Sequence, residues 1–232
     1  MRSDDLVLVQ GLRDTRATLA RWSVAPWPVL RAWLGGSLAV TAALLIGVWA
    51  VASVSAPDPA PLALPGVTRA ANLADMRRVL AGNLLVLALH ALACVAGFIA
   101  GSSLPLAAAR QSGLWRRVHE QAGPLAIAFV SGATLFSLAS QVVVLGGVTS
   151  SLAAQVGVRP GVLLVGFLPH AVPELVVLFL PLAAWLIASR RRDWHELLAA
   201  TFVTVALAVP VLALSAAVET FVSPRLLRAL LP

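Results

Sequence analysis

Four titratable side chains stand inside stretches of this chain that are otherwise apolar enough to cross a bilayer: His90, His170, Glu174 and Glu219. His170 and Glu174 lie one helical turn apart in "FLPHAVPELVVLFLPLAAWL", flanked by Pro169 and Pro173. A charged Asp, Arg or Lys at a helix centre in the membrane costs about 2.5–3.5 kcal/mol on insertion scales, so such groups need partners inside the protein. Three kinds of chemistry are open to them. Hydrogen bonds between a histidine and a glutamate can lock helices together, at about 0.6–2 kcal/mol each. The same groups can relay protons or line an ion path. Imidazole and carboxylate also suit zinc, which makes His90, His170 and Glu174 the candidate metal ligands, although their spacing is not HExxH and no third histidine joins them.

Depth follows from counting along each apolar run. From Val79, the outer end of the second run, His90 is eleven residues in, about 16 Å at the helical rise of 1.5 Å per residue. From Gly161, His170 is nine residues in and Glu174 thirteen. The count predicts a buried central cluster of His90, His170 and Glu174, and an outer polar layer of Asn83 and Glu219. Pro169 and Pro173 each lack an N–H and push the preceding residue out of the α region, so a helix break is expected at these two prolines. A helix restarting at Pro173 would hold Glu174 in its first turn, where free N–H groups and the dipole favour a carboxylate.

The elements that position these residues come from composition. Of 232 residues 59% are hydrophobic and 12% charged, far from the balance of a soluble domain. Five runs are long enough to span: Leu34 to Val54, Val79 to Gly101, Pro124 to Gly147, Gly161 to Ser189 and Leu197 to Val222. The expected fold is all-α, a polytopic transmembrane helix bundle of about five spans with the fourth broken at Pro169/Pro173. Residues 1–33 form a cytoplasmic N-terminal amphipathic region, 34–224 the bundle and 225–232 a short C-terminal tail. In the N-terminal region Ser3 is the expected N-cap, with Leu6, Val9, Leu12 and Leu19 on one face. Val54-Ser55-Ala56 is followed directly by Pro57, so the first span is expected to remain as an uncleaved anchor.

All seventeen basic residues are arginines. Eleven fall in the N-terminal region and in the loops after the second and fourth spans, against six on the other side, so the positive-inside rule places the N-terminus in the cytoplasm and the C-terminus outside. Trp22, Trp27, Trp33, Trp49, Trp185 and Trp194 stand near span ends, as headgroup anchors do. The loop "SAPDPAPLALPG", with prolines at 57, 59, 61 and 65, reads as an extended connector. In the third span Thr134, Ser137, Ser140 and Gln141 form a polar stripe expected to face the bundle interior. Gly97 and Gly101 make a GxxxG at which two helices could approach closely.

Several function classes are excluded. The arginines are scattered at segment ends without interleaved tyrosine or phenylalanine, so no nucleic acid is expected. The lone Cys94 permits neither an intrachain disulfide nor a cysteine metal cluster. No nucleotide loop and no GxSxG elbow is present, so no catalytic residue and no cofactor is assigned.

The order of these residues resembles the stage II sporulation protein M (SpoIIM) family of multi-pass membrane proteins. The resemblance rests on Asn83 in "GNLLVLALHALACVAGFIAG", on Pro169-His170-Ala171-Val172-Pro173-Glu174 against the family's "PHGxxE", and on "VETFVSP" (Val218 to Pro224) against "IEAFxTP". It covers roughly residues 75 to 224. Ala171 replaces the family's glycine, Pro173 is additional, and the family's mid-chain "NG" is absent. The resemblance implies a membrane component that holds other envelope proteins in a complex, as the namesake holds cell-wall hydrolases during engulfment. The reading that follows is a non-enzymatic scaffold or assembly component of a cell-envelope complex, its His and Glu residues fixing helix packing. Alternatives are a channel or transporter-like subunit using the fourth span, or an intramembrane metal-dependent hydrolase. Expected partners are the lipid bilayer and membrane or envelope proteins, with a homo-oligomer left open.

Overall fold

The computed structural model describes residues 7–103 and 112–230. Ser3 and Leu6 of the N-terminal helix, and Arg2 and Arg110 of the charge count, lie outside them. The described residues are mostly helical, without a strand. In order they form α1 (Val7–Val24), α2 (Trp27–Val54), α3 (Leu73–Phe98, followed by a π-helical turn Ile99–Ser103), α4 (Gly113–Gln155), α5 (Pro160–Leu178), α6 (Leu180–Arg191), a 3-10 turn Trp194–Glu196, α7 (Leu197–Ala217), a π-helical segment Val218–Val222, and α8 (Ser223–Leu230). Five stretches are long and apolar enough to span: Trp27–Val54, Leu73–Ser102, Gln121–Gln155, Pro160–Arg191 and Trp194–Ala229. The chain is an all-α multi-pass membrane protein, and α8 takes up most of the stretch expected to be a tail.

The fourth span is broken, but not where the sequence suggested. α5 runs unbroken through Pro169 and Pro173, and the interruption comes at Phe179, with φ −90° and ψ 0°, just before α6. Pro181 accounts for it. A proline ring clashes with the carbonyl four residues back, here that of Val177, and the clash disappears when the proline sits in the first turn of a new helix. Pro181 occupies that position in α6.

The contacts divide the chain into two compact units. The first comprises residues up to Ser37, Leu87–Thr134 and Phe179–Leu207; the second comprises Leu38–Val86, Leu135–Leu178 and the chain from Ala208 onward. In the first, Cys94, Phe98, Trp185, Ala188 and Leu197 form the buried core. Gly97 and Gly101 make room for indole rings rather than for a second backbone: a Cβ at Gly97 would lie 2.6 Å from Trp185 Nε1, and one at Gly101 would lie 2.2 Å from Trp194 Cγ. The rings of Trp185 and Trp194 meet edge-on at 6.4 Å. Trp33 and Trp185, expected as boundary anchors, are core residues at 4% and 7% exposure. Trp27 and Trp49 are exposed.

α1 lies against the turn Trp194–Glu196, where Arg21 donates to Glu196 Oε1 at 2.7 Å. Of the face expected to be apolar, the side chains of Leu12 and Leu19 are described, and Leu19 is half-buried. Leu12 is 69% exposed, whereas Gly11 and Thr18 are buried, and a Cβ at Gly11 would stand 2.9 Å from the Phe98 ring. The small residue permits this close approach to Phe98.

In the second unit α2 and α4 approach through glycines: a Cβ at Gly146 would fall 2.5 Å from Val51 Cγ1, and one at Gly47 3.0 Å from Val142 Cγ1. The proline-rich connector is bonded along the end of α4. Ser151 Oγ accepts from Asp58 N–H at 2.9 Å, and the Gln155 amide both accepts from Leu62 N–H and donates to its carbonyl. Leu62, Leu64 and Val67 then pack on a core of Leu152, Ala153, Leu163 and Leu227. The polar stripe of α4 is divided, with Thr134, Ser140 and Gln141 half-buried. Ser137 is exposed, Gln141 Nε2 donates to its hydroxyl at 3.3 Å, and no residue of the helix's most apolar stretch is buried.

Candidate functional site

The second unit carries a half-open cavity of about 390 Å³. Its walls are apolar, with Leu44 and Val48 from α2, Leu145 from α4, Phe167 from α5 and Leu227 from α8. Into this wall project His170 and Glu174 of α5, Glu219 and Ser223 of the chain's last helical stretch, and Asp75 of α3.

Spacing places the first two. Residues four apart share a helix face, so His170 and Glu174 reach the cavity together only because α5 stays helical through its prolines. His170 is 8% exposed, and its Nδ1 forms a 2.7 Å hydrogen bond with Ser223 Oγ, itself 2% exposed. Ring or hydroxyl donates according to the imidazole tautomer. The bond ties α5 to α8, and the Phe167 ring packs edge-on against the imidazole at 5.6 Å.

Glu219 and Ser223 owe their register to Pro224. A proline there cannot donate to the Thr220 carbonyl, and its ring would strike it in a regular α-helix. The chain widens into the π segment Val218–Val222, with Ser223 N–H bonded to Val218 O, and resumes as α8. Such π turns recur at functional sites. Glu219 thereby lines the same pocket as Glu174, and the Asn83 amide of α3 stands beside Glu174. Glu174 Oε2 and Asn83 Nδ2 are buried without a hydrogen-bond partner among the described residues. Neither Glu174 nor Glu219 forms an ion pair there.

Asp75, by contrast, is fully engaged. It pairs with Arg69 and lies 3.6 Å from Arg78. Asn72 caps α3 by accepting from Ala74 N–H at 2.8 Å and Asp75 N–H at 3.2 Å, while Asp75 Oδ2 accepts from Asn72 N–H at 3.1 Å. This reciprocal pairing is a capping box, legible in "NLAD" but overlooked in the sequence reading. The Asp75 carboxylate holds the Arg69 guanidinium above its ordinary pKa.

The cap explains why the sequence grouped the residues differently. Hydropathy set the start of the second span at Val79, whereas the Asn72 cap sets it at Leu73. Asn83 is then ten residues into its helix, His90 seventeen, His170 ten into α5 and Glu174 fourteen. Glu219 is eleven residues from the end of α8. Asn83 and Glu219 therefore belong with Glu174. His90 is not among the residues lining the cavity; it belongs to the first unit, its ring 5.6 Å from that of Phe179 at the helix break. On the same face of α3, the Cys94 thiol donates to Pro181 O at 3.1 Å. Among the described residues no group of three or more His, Cys, Asp or Glu is placed to hold a metal ion, which removes support from the zinc arrangement of His90, His170 and Glu174.

Comparison with known proteins decides the family. The sequence model described as SpoIIM, Stage II sporulation protein M, matches residues 107–224, just over half of the 232-residue chain. The chain belongs to the stage II sporulation protein M family. Comparison with curated proteins and with solved structures gave no match. Both motif stretches of this SpoIIM-family protein, Pro169 to Glu174 and Val218 to Pro224, lie within the matched residues. The His170–Ser223 bond joins one to the other. Asn83 lies before the matched residues and joins the site through its place beside Glu174.

Proposed function

We propose that this SpoIIM-family protein is a non-enzymatic membrane scaffold or assembly component of a cell-envelope complex, with its N-terminus in the cytoplasm and its C-terminus outside. The observation that carries the reading is the bond between His170 and Ser223. Through Nδ1 this histidine fastens α5 to α8 and joins the two motif stretches, which is the helix-locking use of such a side chain. The exposed face of α4 supports a partner-holding role. A spanning helix bearing a bonded Gln141–Ser137 pair outside the core offers polar groups that another transmembrane helix can satisfy. A channel or transporter-like subunit is the second reading, favoured by two glutamates that line the cavity without an ion-pair partner among the described residues.

His170→Ala separates the two. Leaving Ser223 buried without its partner should cost about 1–3 kcal/mol. The scaffold reading expects less full-length protein in the membrane and a smaller yield of its detergent-extracted complex on native gels. Normal assembly with loss of solute flux in proteoliposomes would favour the transport reading instead.

A further inference from the structure

The cavity of the second unit has two properties that packing alone does not require. Its volume, about 390 Å³, falls within the range of small-molecule sites, and like them it combines apolar walls with a few convergent polar groups. Those polar groups are unbalanced in sign. Three carboxylates line it, those of Asp75, Glu174 and Glu219, and no arginine does. Asp75 is paired with Arg69 and His170 is bonded through Nδ1 to Ser223, whereas Glu174 and Glu219 line the same pocket and neither forms an ion pair among the described residues. Buried carboxylates are ordinarily paired or hydrogen-bonded, because desolvating an unpaired charge is expensive.

We infer that the cavity is a binding site for an amphiphile with a protonated amine head and a short hydrocarbon body, the ammonium held between Glu174 and Glu219. An ammonium donates to both carboxylates through charge-assisted hydrogen bonds. A hydrocarbon chain of modest length fits the wall formed by Leu44, Val48, Leu145 and Leu227. A bare metal ion suits the site poorly, since it would leave that wall empty and the acids are not arranged as a ligand set. An anionic or neutral amphiphile of the same length meets the same wall but gains nothing at the acids. The site is independent of the scaffold role and stands or falls separately from it.

The test uses the full-length protein in phosphatidylcholine nanodiscs and compares n-octylamine, n-octanol and octanoate by the shift in thermal midpoint, since a ligand that binds only the folded state raises it. Octylamine is expected to raise the midpoint saturably and to bind about tenfold or more tighter than octanol, as a charge-assisted hydrogen bond implies. The Glu174→Gln/Glu219→Gln variant, of nearly the same shape, is expected to lose that preference. Leu145→Trp, which fills the cavity from its apolar side, provides a second variant and is expected to abolish octylamine binding with both acids intact. Equal shifts from octylamine and octanol would overturn the proposal. So would an octylamine preference that survives the double glutamine variant, or one that survives Leu145→Trp.

Discussion

Gly66→Ala is expected to lower the thermal midpoint of the purified protein sharply, equivalent to about 2–4 kcal/mol. Two costs add at this position. Gly66 has φ +81°, where a Cβ collides with the backbone, and it presses so closely on α8 that a Cβ would lie 2.6 Å from both Cβ and Cγ of Pro224. Pro224 cannot yield easily, because its ring is what sets the π segment that carries Glu219 to Glu174. The turn would have to lift, taking Leu64, Pro65 and Val67 away from the cavity they line. Gly82→Ala is the control. It lies in α3 beside Asn83 with nothing within 4 Å of a Cβ, and should be neutral or slightly stabilising. Equal midpoints for Gly66→Ala and the parent protein, measured by fluorescence-detected size exclusion after heating, would show that the turn does not seat against α8 as described.

The second large effect is expected in the first unit. Gly97→Val should cost about 3 kcal/mol or more, at the upper end of overpacking, because its Cβ would overlap Trp185 Nε1 at 2.6 Å and Leu197 Cδ1 at 2.9 Å. Trp185 is held on its other side by Trp194 and by the core around Cys94 and Phe98, so it has little room to withdraw. The cause can be isolated. If the indole is the obstacle, Trp185→Leu should recover part of the loss in Gly97→Val, and the two substitutions should be strongly non-additive in thermal midpoint. Simple additivity would place the damage elsewhere. A GxxxG that receives indole rings behaves differently from one that seats a second helix, since only the former is relieved by shrinking a tryptophan.

The spans were legible in the sequence because hydropathy averages over twenty residues and forgives local error. The site was legible only in part, because its geometry turns on single residues. His170 and Glu174 share a face in any helix, whereas the meeting of the two motif stretches through His170 and Ser223 was not foreseen, since the residue count put Glu219 in a separate outer layer. The grouping of Asn83 with Glu174 was hidden by the capping box at Asn72 and Asp75, which lengthens α3 ahead of its apolar run and moves every residue of that helix by nearly two turns. In the fourth span the sequence points to Pro169 and Pro173 as breakers and passes over Pro181. Pro169 and Pro173 were absorbed within α5, and only Pro181 coincides with a restart. Proline chemistry alone does not separate them; the neighbours that accommodate each ring do. The tryptophans misled for a related reason, since an indole near a span end is read as a boundary residue until the glycine that admits it to the core is known.

The central claim is that His170 of α5 and Ser223 of α8 are one interaction fastening the second unit together. A double-mutant cycle on thermal or denaturant stability of the purified protein measures it directly, using His170→Ala, Ser223→Ala and the two combined. The account predicts that the second substitution adds little once the first is present, with a coupling energy of about 1–2 kcal/mol. Two losses that simply add would mean that these side chains act separately, and would contradict the account.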